Sequence, residues 1–104
     1  MQDAFNRILK QKLLIGQIES QVADRKHEAD QIAADQSRVR ENMKALKGSS
    51  EEKALLQRYV GQLDSQENRI AALRKESADL TAGQNSAQGE LDRMIMAVNV
   101  DESF

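Results

Sequence analysis

A seven-residue repeat of apolar side chains runs through almost the whole chain and is interrupted once, at Lys47-Gly48-Ser49-Ser50. On each side of the break the apolar residues recur at alternating steps of three and four, for about six heptads, which predicts an all-α fold built from two coiled-coil helices. The predicted seam of the first helix contains Ala4, Ile8, Gln11, Ile15, Ile18, Val22, Arg25, Ala29, Ile32, Gln36, Val39, Met43 and Leu46. The predicted seam of the second contains Leu56, Tyr59, Leu63, Gln66, Ile70, Leu73, Ser77, Leu80, Gln84, Ala87, Leu91, Met94 and Val98.

The break has the composition of a helix stop followed by a helix start. Gly48 favours the left-handed backbone conformation that ends many helices. Ser49 and Glu52 have the spacing of a capping box, in which each side chain accepts a hydrogen bond from the other residue's backbone N–H. Because so short a turn brings two helices side by side, we predict one antiparallel two-helix coiled-coil hairpin. Its expected parts are helix 1 at about residues 3–47, a turn at 48–50, helix 2 at about 50–98 and a C-terminal tail at 99–104.

Polar residues interrupt both seams and are candidates for fixing the register. When the two seams are aligned outward from the turn, Gln36 falls opposite Gln66, and Arg25 falls opposite Ser77. Amides that hydrogen-bond across a seam satisfy each other and penalise shifted registers. We therefore predict that these four residues set the register of the hairpin.

Charged residues flank the seam in the same register. The guanidinium of Arg25 is expected to lie between Glu28 and Glu76 and to neutralise both carboxylates. Asp35 is expected to lie near Arg69. Exposed pairs of this kind contribute only about 0 to 1 kcal/mol, so they neither confirm nor exclude the register.

The end of the hairpin distant from the turn carries apolar residues outside the seam. Such additional apolar surface is typical of a contact with another chain or domain. We therefore predict self-association, including the possibility of a dimeric four-helix bundle, or contact with the remainder of a larger protein. The candidate interaction residues are Phe5, Leu9, Leu13, Ile95 and Met96, with Leu14, Val100 and Phe104 at the same end.

Nothing in the sequence indicates a catalytic or cofactor site, and we predict that the chain is not an enzyme. His27, the single histidine, falls on an outward position, and metal sites need several converging ligands. Tyr59 falls on the seam and is expected to pack against Met43. The glycines are dispersed and form no phosphate-binding loop. A thin hairpin also has no pocket that excludes water, so we expect no small-molecule substrate.

Charge and hydropathy exclude two further classes of partner. The formal net charge of −2 leaves no basic excess for nucleic acid. The sequence contains neither a long apolar run nor a polybasic amphipathic face, so it does not predict membrane association. The absence of cysteine leaves the compartment undetermined.

The segments on either side of the turn, DQSRVRENMKAL at residues 35–46 and RYVGQLDSQENRI at residues 58–70, resemble a known family. They are similar to the C-terminal coiled-coil segment of bacterial proteins in the domain-of-unknown-function family numbered 4139. The resemblance implies that the chain is a fragment of a larger bacterial protein of unknown activity, for which an extracytoplasmic location is one option. It assigns no catalytic residue to this chain.

Two functions follow from the sequence as hypotheses. The first is a structural module, in which the hairpin acts as a spacer, an oligomerisation element or both. The alternative is a protein-binding hairpin whose tip docks a partner, through the turn at Gly48 and the neighbouring Arg38, Arg40 and Arg58.

Overall fold

The structure is a computed structural model that describes residues 2–102, with side chains described for residues 2–99. Within this range the chain forms two helices, α1 at Gln2–Lys44 and α2 at Ser50–Glu102. The hydrogen bond from Gln11 to Ala87 joins the start of α1 to the later part of α2, and the bond from Gln36 to Glu67 joins the later part of α1 to the first half of α2, so the helices are antiparallel. The predicted all-α helical hairpin is confirmed.

Helix α1 ends earlier than the sequence pattern predicts, at Lys44 instead of about residue 47. The backbone N–H of Ala45 donates to the carbonyl of Asn42, and that of Leu46 donates to Met43, both at 3.2 Å. These bonds close over three residues instead of four, which tightens the chain out of the α-helix before the glycine is reached. The connection between the helices is therefore residues 45–49, longer than the predicted turn at 48–50.

The predicted stop and start signals are confirmed in the connection. Gly48 has φ of 91°, in the left-handed region that only glycine adopts without strain. The N–H of Glu52 donates to Ser49 Oγ at 3.1 Å, and the N–H of Ser49 donates to Glu52 Oε1 at 3.3 Å, which is the expected capping box. The second oxygen of Glu52 also accepts the N–H of Lys47. One carboxylate therefore satisfies backbone donors on both sides of Gly48.

Helix α2 continues further than predicted, to Glu102 instead of about residue 98. The predicted tail at 99–104 is thus wrong for residues 99–102, because neither glycine nor proline follows Val98 to stop the helix. Residues 103 and 104 lie outside the described part of the chain. The predictions for the side chains of Val100 and Phe104 also fall outside it.

Two compact units divide the hairpin. The turn unit comprises residues 25–76, and the terminal unit comprises, within the described range, residues 2–24 and 77–102. In the turn unit Val39 and Leu73 are the most deeply buried residues. Gln36, which precedes Val39 by three residues in the seam, is also buried. In the terminal unit Ile15, Ala87 and Leu91 form a buried cluster against which Ile8 and Ile18 pack.

The predicted seam agrees with the observed burial at every position except one. All the other residues of the two predicted seams are buried or half-buried, whereas Leu56 is 38% exposed. Leu55 is half-buried in its place, four residues before Tyr59. A helix with 3.6 residues per turn drifts relative to a strict seven-residue repeat, and the first turns of α2 follow the drift instead of the repeat.

Candidate interaction surfaces

The two glutamines predicted to meet in the turn unit each bond to a carboxylate instead. Gln36 Nε2 donates to Glu67 Oε1 at 2.9 Å, and Gln66 Nε2 donates to Asp35 Oδ2 at 2.6 Å. The predicted mutual amide bond is therefore wrong. A carboxylate accepts a stronger hydrogen bond than a neutral amide does. Each glutamine finds one on the opposite helix: Glu67, which follows Gln66 in sequence, lies within reach of Gln36, and Asp35, which precedes Gln36, lies within reach of Gln66.

This exchange of partners leaves one polar atom unsatisfied. Gln66 Oε1 is buried and has no hydrogen-bond partner in the described part of the chain. Reversing the amide would point this oxygen at the Asp35 carboxylate, where two acceptors would repel each other. The observed orientation is therefore the better of two incomplete arrangements.

Polar seam residues of the terminal unit also bond across the helix pair. Gln11 Nε2 donates to the backbone carbonyl of Ala87 at 2.8 Å, and Gln84 Nε2 donates to Glu19 Oε1 at 3.2 Å. Both bonds close between residues far apart in sequence, so each fixes the relative position of the two helices in that unit.

An ionic cluster lies on one flank of the turn unit, and Arg69 is its main cation. Arg69 donates to both oxygens of Glu28, at 2.5 and 3.0 Å, and lies 3.6 Å from Glu76. Arg25 lies 3.7 Å from Glu76. The predicted neutralisation of both carboxylates is present: Arg25 forms an ion pair with Glu76 and its charge lowers the pKa of Glu28, and Arg69 contacts both carboxylates as well. Ser77 is half-buried in the other unit, and its role in setting the register stays a prediction.

Asp35 extends the same flank and does not pair with Arg69 as expected. Its Oδ1 accepts two bonds from Arg38, at 3.0 and 2.8 Å, and its Oδ2 accepts bonds from Gln62 and Gln66. Arg38 is three residues away on the same helix, so the ion pair forms with little ordering of the chain. We call the set Arg25, Glu28, Asp35, Arg38, Arg69 and Glu76 the ionic flank.

These contacts shift three carboxyl groups toward the ionised form. Hydrogen bonds from Arg69 lower the pKa of Glu28 below its ordinary value of 4.5. Hydrogen bonds from Arg38, and then from Gln66, lower the pKa of Asp35 below 3.8. The backbone N–H of Lys47 and the hydroxyl of Ser49 likewise lower the pKa of Glu52. The carboxylates thus act as structural acceptors that hold the two helices and the turn.

The predicted interaction residues all lie at the surface of the terminal unit. We call them the terminal face: Phe5, Leu9, Leu13, Ile95 and Met96, with exposed fractions between 39% and 68%. A shallow groove adjoins them on α1 and is lined by Leu9, Lys12, Leu13, Gly16, Gln17 and Ser20. A side chain at Gly16 would meet no atom within 4 Å, so the groove is open at this position.

Helical spacing places the two halves of the terminal face on the same flank. Residues separated by 7, 11 or 14 positions share a side of a helix. Phe5 precedes Glu19 by fourteen residues and Ile95 follows Gln84 by eleven, and the hydrogen bond between Glu19 and Gln84 joins those sides of α1 and α2. The remaining members, Leu9, Leu13 and Met96, extend this apolar surface toward the outside of each helix.

The residues considered for reactive chemistry have ordinary structural surroundings. His27 is exposed, and Tyr59 is half-buried with its hydroxyl accepting a long 3.5 Å bond from Asn42. Across residues 2–99, no group of three or more His, Cys, Asp and Glu side chains could hold a metal ion. Neither described helix contains a segment long and apolar enough to cross a membrane.

Comparisons with known proteins provide no relative. No family model, no curated protein and no solved structure matches this chain. The resemblance to the family numbered 4139 therefore stays a prediction.

Sequence reasoning overlooked the importance of Asp35 and Arg69. The sequence predicts only one exposed pair between them, yet Asp35 bonds to Arg38, Gln62 and Gln66, and Arg69 contacts Glu28 and Glu76, so each has partners on both helices. Their positions carried the available signal. Each lies beside the seam and within seven residues of a polar seam residue, so each can find a bonding partner other than the one predicted.

Proposed function

We propose that this chain is a structural module: a helical hairpin that serves as a spacer and self-associates through the terminal face, with no catalytic activity of its own. The observation that carries the proposal is the exposure of Phe5, Leu9, Leu13, Ile95 and Met96 in a unit whose seam is already filled by other residues. Exposed apolar residues that share one flank are typical of an interface with another protein.

The spacing on α1 supports a helix as the occupant of this surface. Phe5, Leu9 and Leu13 follow one another at steps of four, which is the spacing of an apolar stripe that packs against a second helix. Gly16 and Ser20 continue the line with small residues, beside which a neighbouring helix can approach closely. Association of two hairpins along this stripe would produce a four-helix bundle.

Membership of the family numbered 4139 is part of the same proposal. Under it, the hairpin is one segment of a larger bacterial protein, and the terminal face is covered either by a second copy or by the rest of that protein. The two occupants give different masses in solution for the isolated chain.

The first experiment is the solution mass of the isolated chain, measured by light scattering across a dilution series. Self-association predicts a mass near twice 11.7 kDa that decreases toward the monomer on dilution. A monomer at every concentration would contradict self-association and would leave the remainder of the parent protein as the occupant.

A matched pair of variants tests whether the terminal face is responsible. Leu9→Gln removes an apolar residue from the face, whereas Leu14→Gln changes a residue of equal exposure, 43% against 44%, on the same helix. Leu14 follows Phe5 by nine residues, which is two and a half turns and hence the opposite side. We expect Leu9→Gln to shift the chain to monomer and Leu14→Gln to leave the mass unchanged. An equal effect of both would indicate unspecific apolar association.

A further inference from the structure

We propose that a second surface, at the turn, binds an acidic amphipathic helix of a partner protein. This tip face consists of Arg40, Lys47, Lys53, Leu56 and Val60, all of which are exposed. It shares no residue with the terminal face, so the proposal is independent of self-association.

A hydrogen bond inside the turn unit shows that these residues lie on one flank. The bond from Gln36 to Glu67 joins one side of α1 to one side of α2. Arg40 follows Gln36 by four residues, which is close to one helical turn. Lys47 lies in the connection beyond the end of α1, where its backbone N–H donates to Glu52, the neighbour of Lys53. On α2, Lys53, Leu56 and Val60 precede Glu67 by fourteen, eleven and seven residues, and so return to the side that Glu67 occupies.

The cations of the tip face have no acidic partner within the described residues. Of the carboxylates nearest to them in sequence, Glu41 pairs with Lys44 at 2.9 Å and Glu52 caps the turn, while the exposed Glu51 forms no ion pair within the described residues. On the opposite flank, by contrast, Arg38 is neutralised by Asp35. The charge of the ionic flank is thus balanced inside the unit, whereas that of the tip face is left for a ligand.

Two features of the tip face are unfavourable for the isolated hairpin. Lys53 lies in the first turn of α2, where the positive end of the helix dipole disfavours a cation. Leu56 and Val60 expose 38% and 52% of their surface, one turn apart and between the cations. A partner that supplies carboxylates and an apolar stripe would compensate both.

This combination favours a protein helix over other polyanions. Apolar residues one turn apart, bordered by charge, match the apolar stripe and charged edges of an amphipathic helix. Nucleic acid binding draws on many phosphate contacts and on stacking against aromatic rings. The tip face has three cations and no aromatic residue, and the whole chain carries a net charge of −2.

The test uses the intact chain and a synthetic helical peptide about five turns long, with leucine on one face and glutamate along both edges. Binding is measured by fluorescence anisotropy at two salt concentrations. We expect micromolar affinity that weakens at high salt, because the contact is small and partly ionic. A peptide with lysine in place of glutamate is the first control and should not bind.

Charge reversal in the chain locates the site. We expect the double variant Arg40→Glu and Lys53→Glu to weaken binding about tenfold or more, and Val60→Ser to weaken it severalfold. Arg58→Glu is the matched control for one such reversal, since Arg58 is an exposed cation of the tip that precedes Arg69 by eleven residues and so lies with the ionic flank. Helix content by circular dichroism verifies that every variant is folded.

Several outcomes would overturn the proposal. They are absence of binding by the glutamate peptide, equal loss of binding in the Arg58→Glu variant, or tighter binding of phosphatidylserine vesicles or a single-stranded oligonucleotide than of the peptide. A change in the mass of the chain on reversing Arg40 and Lys53 would instead identify the tip face as a self-association surface. Each of these results leaves the test of the terminal face unaffected.

Discussion

The turn unit and the terminal unit fill their seams alike but differ in what lies beside the seam. In the turn unit, Val39 and Leu73 are accompanied by a buried glutamine, and carboxylates on the ionic flank accept bonds from both helices. In the terminal unit, Ile15 and Leu91 are buried in an apolar cluster, and large apolar residues extend onto the surface. Polar bonds join the helices in both units, but the ionic contacts are concentrated near the turn, whereas the terminal unit exposes large apolar residues beside its seam.

The largest expected effect comes from emptying the seam of the turn unit. Leu73 is 2% exposed, and Leu73→Ala should lower the free energy of unfolding by about 2–4 kcal/mol, because the buried isopropyl group is removed and a cavity remains. Leu91→Ala in the terminal unit, at 6% exposure, should fall near the lower end of that range. Urea unfolding followed by circular dichroism gives both values.

Leu14→Ala is the control for this pair, because Leu14 is 43% exposed and its loss should cost well below about 1 kcal/mol. A cost for Leu73→Ala no larger than for this control would show that the turn unit does not depend on its apolar seam. The comparison between the units would then rest on the polar contacts alone.

The hairpin and its seam were predictable from the sequence because both depend on the seven-residue repeat of apolar residues, which recurs along the whole length of each helix. Ile15, Val39, Leu73 and Leu91 were all expected in the seam and are buried. The exception at Leu56 arises next to the turn, where few heptads constrain the rotation of the helix. Periodicity is an average over many turns and is weakest at an end.

The partners of individual polar side chains were not predictable to the same degree. Long side chains reach across more than one position, so the sequence alone does not say which acceptor Gln36, Gln66 or Arg69 bonds to. The observed partner depends on which donors are near each acceptor. Asp35, for example, pairs with Arg38 on its own helix, and Arg69 pairs with Glu28 instead. The capping box at Ser49 and Glu52 was predictable because its geometry is confined to four residues.

A smaller effect is expected from the unsatisfied oxygen of the turn unit. Gln66→Leu removes the buried Oε1, which has no partner in the described part of the chain, and should raise the free energy of unfolding by about 1 kcal/mol. Asp35 keeps its bonds from Arg38 and Gln62 in this variant. Gln36→Leu is the control, since no comparable orphaned atom is removed there, and it should raise stability less. Destabilisation by Gln66→Leu would show that the bond from Gln66 to Asp35 outweighs the orphaned oxygen.

The smallest effect is a loss of stability in acid that should be concentrated in the turn unit. Glu28, Asp35 and Glu52, whose pKa values are lowered in the folded chain, all belong to that unit. A group with a lowered pKa stabilises the fold above its unfolded value, and the contribution is lost as pH falls through the folded value. Stability should therefore decline from about pH 5 downward, and high salt should reduce the decline because the three side chains are partly exposed.

Amide hydrogen exchange resolved by residue distinguishes the units in this experiment. On lowering the pH, after correction for the intrinsic exchange rate, protection should fall first around Glu28 and Asp35, while amides near Ile15 and Leu91 keep theirs. Glu28→Gln cannot ionise and still accepts a hydrogen bond from Arg69, so this variant should show a weaker dependence on pH. A uniform loss of protection along both helices would mean that the hairpin opens as one cooperative body. The contrast between ionic contacts in the turn unit and exposed apolar residues in the terminal unit would then describe their surfaces only, not separately stable regions.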